Sequence, residues 1–311
     1  MIGPEVAALA DRATQFTAGG KRARPAFCTW GYVAVRGLPE NLDGLLWASA
    51  SLDVLHVSAL MHDDVMDASD TRRGVPAAHR QFEALHAESG WLGDPVTFGR
   101  AGGVTVTDLA RALPFIELMR TEVTAGQFLD IVAQAQPFGD PQRAMDEAHR
   151  VVEYKTARYT VQRPVQFGAA LGDADETQLA ALAGYGSPLG RAFQFRDDVI
   201  GVFGDTAVIG KPAGDDLREG KRTLLLAHTF AGTSRAGADR LAQLIGNPTL
   251  AGPEVDEARD IIDASGARDR VEQMIDDCLS EAIAALDEAE FTELGRAGLT
   301  ALAKAAVDRS Y

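Results

Sequence analysis

Apolar residues return every three or four positions over most of this chain, the spacing that lines one face of a helix. LLWASASLDVLHVSALMHDDVMD (45–67), AMDEAHRVVEYKTARYTVQRPVQFGAAL (144–171) and ETQLAALAGYGSPLGRAFQFRDDVIGVFGD (176–205) all keep it. The stretch PEVDEARDIIDASGARDRVEQMIDDCLSEAIAALDEAEF (253–291) repeats it with acids on the outer face. Strand-like alternation is scarce, and VTFGRAGGVTV (96–106) is the only segment that suggests it. Clusters of Gly, Pro and Asp, such as RGLPENLDG, SGWLGDP and IGKPAGDD, punctuate the periodic segments. There is no low-complexity linker and no short-period repeat, so the pattern predicts a single all-α domain, 1–311, of antiparallel helices.

Composition narrows the partners. With 46% hydrophobic and 24% charged residues, the chain can build a sizeable core. A net charge of −15 argues against nucleic acid or an anionic membrane as the main partner. Cys28 and Cys278 lie in helical patterns without neighbouring metal ligands, which suits a reducing cytoplasm. The first residues, MIGPEVAALADRATQ, lack the basic start and apolar run of a signal peptide. No run reaches the roughly 20 uninterrupted apolar residues of a membrane span, so a soluble protein is expected.

The acids interrupt the apolar pattern in a telling way. In LMHDDVMD, Asp63 and Asp67 stand one helical turn apart on one face, with Asp64 beside them. FQFRDDVIGVFGD repeats the arrangement at Asp197 and Asp198, followed by Gly201 and Gly204 where a helix would end. A single acidic cluster of this kind is ordinarily a solvated helix face. Two of them, each set among apolar neighbours, are better explained by divalent cations held through oxygen. Mg²⁺ keeps several waters and shares its remaining sites with phosphates; oxygen ligands also admit Mn²⁺ in vitro.

Basic residues supply the complement. GGKRARP (19–25) reads as a turn opening a helix, with cations near its positive end. Arg72 and Arg73 follow the first acidic cluster, Lys155-Thr156 lies in a helical pattern, and Lys211 and Lys221-Arg222 flank the loop after the second. Singly, each is worth little as a surface charge. Together they suit two diphosphate groups, one on metal and one on Arg and Lys.

These motifs resemble the trans-isoprenyl diphosphate synthases of the polyprenyl synthetase family, particularly bacterial geranylgeranyl diphosphate synthases. The matches are GGKRARP, DVLHVSALMHDDVMDASDTRRG, MRTEVTAGQFLD, KTARY, FQFRDDVIGVFGD and GKPAGDDLREGKRT, in the family's order and over most of the chain. The resemblance implies an isoprenoid synthase helical bundle around a central cavity, and prenyl transfer between isopentenyl diphosphate and an allylic diphosphate. It implies three Mg²⁺ ions on Asp63, Asp67 and Asp197, with Asp216 acting through water and Asp64 and Asp198 in support. Arg72, Lys155 and Lys211 would bind the allylic diphosphate. Lys21, Arg24, His56 and Arg73 would bind isopentenyl diphosphate, although His56 by itself reads as a core histidine. Lys221 would sit in a lid, Thr156, Tyr159 and Gln194 beside the reacting carbons, and Gln127 and Asp130 behind them. A cytoplasmic homodimer is also implied.

Ser58 and Ala59 precede Asp63 by about one helical turn, and in the family aromatic residues there close the product tunnel early. Small side chains leave at least another turn open, roughly 5 Å, with Leu55 as candidate floor. The expected product is C20 geranylgeranyl diphosphate, with C15 and longer chains as alternatives. Two departures from the family stand out: the chain is short between TFGRAGGV and MRTEVTAG, and Asp53 replaces a common Glu. A class I terpene cyclase would lack the isopentenyl diphosphate site, and a non-catalytic partner subunit would be expected to lose one acidic cluster. Hydrolysis of allylic diphosphate without coupling is a weaker third reading.

Overall fold

The computed structural model describes residues 14–100, 117–135, 139–204 and 214–308. Its elements are helical apart from one two-stranded hairpin. By its internal contacts the chain divides into two compact units, Met1–Pro25 with Asp43–Phe115, and Ala26–Leu42 with Ile116–Tyr311.

Helix α1 (Ala23–Arg36) begins after GGKR, as the turn chemistry requires: Gly19, Gly20 and Arg22 all have positive φ. In the first unit, α2 (Asp43–Met66) carries the first acidic cluster at its C-terminal end. Strands β1 (Thr71–Arg72) and β2 (Val75–Pro76) then pair antiparallel, with Arg72 opposite Val75. The connecting Arg73-Gly74 has φ of 53° and 78°, the left-handed pair that a two-residue hairpin turn needs. Helix α3 (Ala78–Glu88) follows and packs on α2. Val57 and Met61 of α2 meet Ala78 and Phe82 of α3, with Phe16 closing the cluster. Burying each larger side chain contributes about 1.5–3 kcal/mol.

Among the described helices, α2 alone is long and apolar enough by length and composition to cross a membrane. Its Leu45, Leu52, Leu55, Val57 and Met61 are buried, and Asp53 interrupts it. The hairpin lies where the sequence pattern marked no strand, since two-residue strands leave no periodicity to detect. The segment that suggested a strand, 96–106, is helical as far as it is described, through residue 100.

The second unit is built around α7 (Glu176–Phe203). Asp175 caps it by accepting from the Gln178 amide at 2.8 Å, with Gln178 returning the bond. α4 (Glu117–Ala135), α5 (Pro141–Val151), a π-helical stretch (Val152–Gln162) and α6 (Arg163–Leu171) precede it. After it come α8 (Asp215–Glu219), α9 (Leu224–Gly232), α10 (Arg235–Leu244), α11 (Gly252–Ala264), α12 (Ala267–Ala285) and α13 (Glu293–Val307). The π stretch and α12 pack along α7. Leu182, Tyr185, Leu189, Ala192 and Val199 fill its buried face, and Tyr185 donates to the Leu299 carbonyl at 2.8 Å. Cys28 and Cys278 are buried thiols, not joined in a disulfide.

The π-helical stretch departs from the ordinary helix expected for KTARY. Pro164 has no amide hydrogen to close an α-turn on Thr160, and the Arg163 amide bonds five residues back to Arg158 instead. Backbones press on it from two sides. A β-carbon on Gly126 of α4 would run into the Lys155 backbone, and one on Gly190 of α7 would run into Ala157.

Candidate active site

The two acidic clusters lie in different units. In the first, Asp63 and Asp67 share a face of α2, the Asp67 amide closing the last turn on the Asp63 carbonyl at 2.8 Å. Asp67 is exposed, Asp63 half-buried and Asp64 only 1% exposed. Asp64 Oδ1 accepts from both Arg72 Nε (2.8 Å) and Nη2 (2.5 Å), and Arg72 Nη2 lies 3.6 Å from Asp63. Burial pushes the Asp64 carboxyl up, and Arg72 opposes the shift.

The basic half of this unit is organised around His56. Its imidazole is held neutral, its pKa lowered to about 2 by burial and by the charges of Arg24, Arg73 and Arg72. Three guanidinium groups thus act on one neutral imidazole, a concentration of positive charge within the first unit. Arg73 Nη1 also donates to the carbonyls of Phe16 (3.3 Å) and Ala18 (3.0 Å), fixing the GGKR turn. Arg22 donates to the Thr17 carbonyl at 2.5 Å and pairs with Asp53, so that acid has a local partner despite its shorter side chain. Lys21 is exposed.

Ser58 and Leu55 are buried on α2, 5% and 6% exposed, and Ala59 is half-buried. Leu55, Ala59 and Asp63 follow at four-residue intervals, one helix face.

In the second unit, Asp197 is half-buried and Asp198 4% exposed. Gln194, one turn earlier, accepts from Thr156 Oγ1 at 2.6 Å and donates through Nε2 to Asp198 Oδ1 at 2.7 Å. Burial drives the Asp198 carboxyl well up, the Gln194 bond opposing it; Asp216 raises it further. Gly186, Gly190 and Gln194 follow at four-residue intervals, and the two glycines bring α7 close to the π stretch where Thr156 lies. Tyr159 is buried in that same stretch.

Asp216 reaches α7 over Gly201, whose missing β-carbon makes room for the carboxylate. Its Oδ1 accepts from Lys221 Nζ at 2.6 Å, and Lys221 also lies 2.9 Å from Glu219. Burial alone would lower the Lys221 ammonium, but Asp216 and Glu219 more than reverse this and hold it above the usual lysine range. Lys155 donates to Asp130 at 2.7 Å, an approach that Gly126 permits. Gln127 is half-buried on the same helix, and Lys211 lies outside the described residues.

Among the described residues, no three His, Cys, Asp or Glu side chains converge closely enough to hold a metal by themselves. The donors present are carboxylate oxygens in pairs. A cation there would draw its remaining ligands from water and diphosphate, which is the habit of Mg²⁺ and fits this donor set. Arg72 pairs with Asp64 beside Asp63, and Lys221 pairs with Asp216.

Sequence reasoning singled out the acids and the cations but missed their scaffolding. The glycines at 126, 186 and 190 were not among the candidate residues, and Gly201 was read only as a helix-end signal. Nor were Glu122, Arg158 and Arg163 among the candidates: buried Glu122 accepts from half-buried Arg158 (2.9 Å) and Arg163 (2.7 Å). The four-residue spacing of Gly186, Gly190 and Gln194 was the one available signal.

The polyprenyl synthetase family model matches residues 6–262, through both units. A geranylgeranyl diphosphate synthase of Mycobacterium tuberculosis is 30% identical, covering 90% of this chain and 78% of its own length. A geranylfarnesyl diphosphate synthase of Natronomonas pharaonis is also 30% identical, covering 94% of this chain and 87% of its own. Among solved structures, geranylgeranyl pyrophosphate synthase of Corynebacterium glutamicum, complexed with isoprenyl diphosphate and magnesium, superposes with a TM-score of 0.90. It is 36% identical, and the match covers 99% of this chain and 92% of that one.

Proposed function

This chain belongs to the polyprenyl synthetase family and is a trans-prenyltransferase of all-α isoprenoid synthase fold, and on that premise we propose that it makes geranylgeranyl diphosphate. Isopentenyl diphosphate is condensed with an allylic diphosphate of five to fifteen carbons, in one isoprenoid synthase domain acting as a cytoplasmic homodimer. The family's enzymes use Mg²⁺. We assign its ligands to Asp63, Asp67 and Asp197, with Asp216 acting through water, and expect three ions. The metal supplies Lewis-acid stabilisation to the diphosphate leaving group.

The chain's own residues carry the rest. Arg72, Lys155 and Lys211 bind the allylic diphosphate, with Lys221 in a lid near the diphosphates, and stabilise the charge it gains as the allylic C–O bond breaks. Lys21, Arg24, Arg73 and neutral His56 hold isopentenyl diphosphate, so that its alkene attacks the allylic carbon at close range. The observation that carries this assignment is the set of three arginines around His56: an anion site beside the first acidic cluster is what a cyclase lacks. Thr156, Tyr159 and Gln194 line the reacting carbons. The proton lost in the last step goes to the departed diphosphate.

Product length rests on small Ser58 and Ala59 above Leu55. Relatives carry C20, C25 and octaprenyl names, so the assay must size the product. Purified protein with Mg²⁺, isopentenyl diphosphate and C5, C10 or C15 primer should yield a dominant C20 alcohol after dephosphorylation, and chelation should abolish it. A C15 or longer product would discard the tunnel argument and keep the synthase. Failure to incorporate isopentenyl diphosphate while both substrates bind would favour the partner-subunit reading.

A further inference from the structure

Asp64 is the member of the first acidic cluster turned into the protein. Val57, Met61 and Asp64 stand at i, i+4 and i+7 on α2, and the first two pack on Ala78 and Phe82 of α3. Asp64 therefore continues the core face towards the start of α3, where His79 is the second residue. His79 is 3% exposed. The segment carrying Gly99 covers it so closely that a β-carbon there would strike the His79 carbonyl. Both Arg72 donors fall on Asp64 Oδ1. Its other oxygen, Oδ2, is buried without a hydrogen-bond partner among the described residues, and so is Nδ1 of His79. The two side chains are near enough to interact electrostatically. A buried carboxylate oxygen left unbonded loses its hydration without replacement, and beside an acceptor the imidazole tautomer with its proton on Nδ1 is favoured.

We propose that His79 is a positioning residue of the prenyl transfer reaction: through Nδ1–H, across one buried water, it clamps Asp64, which in turn aims Arg72 at diphosphate. The inference rests on the reading of Arg72 as a diphosphate ligand. Asp64 then serves the site as the anchor of a guanidinium. The chain of contacts runs imidazole, water, carboxylate, guanidinium, anion, and its protein members come from α2, β1 and α3 within sixteen residues. That short-range construction holds Arg72 in one rotamer before substrate arrives, which is where a bidentate donor gains over a mobile lysine.

The test is calorimetric titration of inorganic diphosphate with Mg²⁺ into the full chain, alongside steady-state kinetics. His79→Phe keeps the ring volume and removes the donor; His79→Asn places an amide nitrogen near the position of Nδ1; His79→Gln places it near Nε2. Loss of an outer partner of this kind costs roughly 10–100-fold in affinity or activity. Diphosphate binding should weaken about tenfold in His79→Phe and His79→Gln, while His79→Asn stays near wild type. In an Arg72→Ala background, His79→Phe should add nothing further, because both changes remove one coupled unit. Equal losses in the Asn and Phe variants, or additive losses with Arg72→Ala, would overturn the inference. Should His79→Phe fail to fold, the Asn and Gln variants still decide. Wild-type turnover with unchanged diphosphate binding in every His79 variant removes this inference and leaves the synthase reading. No turnover by wild type, with the Asn and Phe variants still split in binding, removes the synthase reading alone.

Discussion

The carboxylate of Asp216 lies over the backbone of Gly201, in the space that any β-carbon would take. Asp216 sits one residue into α8, while Gly201 is four residues after Asp197 on the same face of α7. The absence of a side chain at 201 thus brings a third acid beside Asp197 and Asp198. Gly201→Ala should displace that carboxylate with little change in helix content. A misplacement of about 1 Å near the reacting groups can cost about 100-fold, so kcat/KM should fall by that order and the Mg²⁺ concentration for half-activity should rise. A Gly201→Ala enzyme with wild-type Mg²⁺ dependence would show that Asp216 does not serve the metal.

Gln194 joins Thr156 to Asp198 through both ends of its amide. Gln194→Met keeps the length and removes both bonds. Leaving two half-buried or buried polar groups unsatisfied should destabilise the protein by about 1–3 kcal/mol, measurable by urea unfolding. Turnover should drop as well, with the larger effect on kcat, because Asp198 loses the contact that orients it.

His56 sets a pH dependence with a definite sign. Its pKa is about 2 in the fold against 6.5 in an open chain, so below pH 6.5 the unfolded state binds a proton that the folded state refuses. Stability is fully present above pH 6.5 and is lost as pH falls from there towards 2, by at most about 1.4 kcal/mol per pH unit for this one group. His149 and His228, lowered mainly by burial, act in the same direction. Urea midpoints at pH 7.5, 6.0 and 5.0 should decline, and His56→Gln should flatten the decline. Between pH 7 and 8, by contrast, the KM for isopentenyl diphosphate should not report a histidine titration, since a neutral imidazole contributes a hydrogen bond there and no charge.

Ala59 and Ser58 separate packing from chain-length control. Ser58 is buried, so Ser58→Phe should overpack α2 and cost about 1–3 kcal/mol. Half-buried Ala59 shares a face with Leu55 and Asp63, and Ala59→Phe should shorten the product from C20 to C15 with a smaller stability loss. Chromatography of the dephosphorylated alcohols reads the result, and an unchanged C20 product would remove Ala59 from the tunnel wall.

The helical class and both acidic clusters were open to reading in one dimension. A period of 3.6 residues places Asp63 with Asp67, Asp197 with Gly201, and Leu55 with Ala59 without reference to any neighbour. The cations of GGKR, RRG and GKR announced themselves by type. The hairpin at 71–76 did not, because four paired residues carry no repeat, and its turn rests on Arg73 with positive φ, a residue that propensity would not choose. The π register of 152–162 was equally hidden, since it follows from Pro164 and from backbones packed on either side.

What the sequence by itself determined is therefore the kind of chemistry: paired carboxylates, clustered cations and the helices that carry them, all properties of residue type and spacing. What only the tertiary structure decided is which group answers which. Arg72 falls to Asp64, Lys221 to Asp216, Lys155 to Asp130 and Thr156 to Gln194. The reason is physical. Local periodicity is set by bonds within one helix, whereas these pairings depend on how closely different segments approach. At Gly126, Gly186, Gly190 and Gly201 that distance is set by the absence of a side chain.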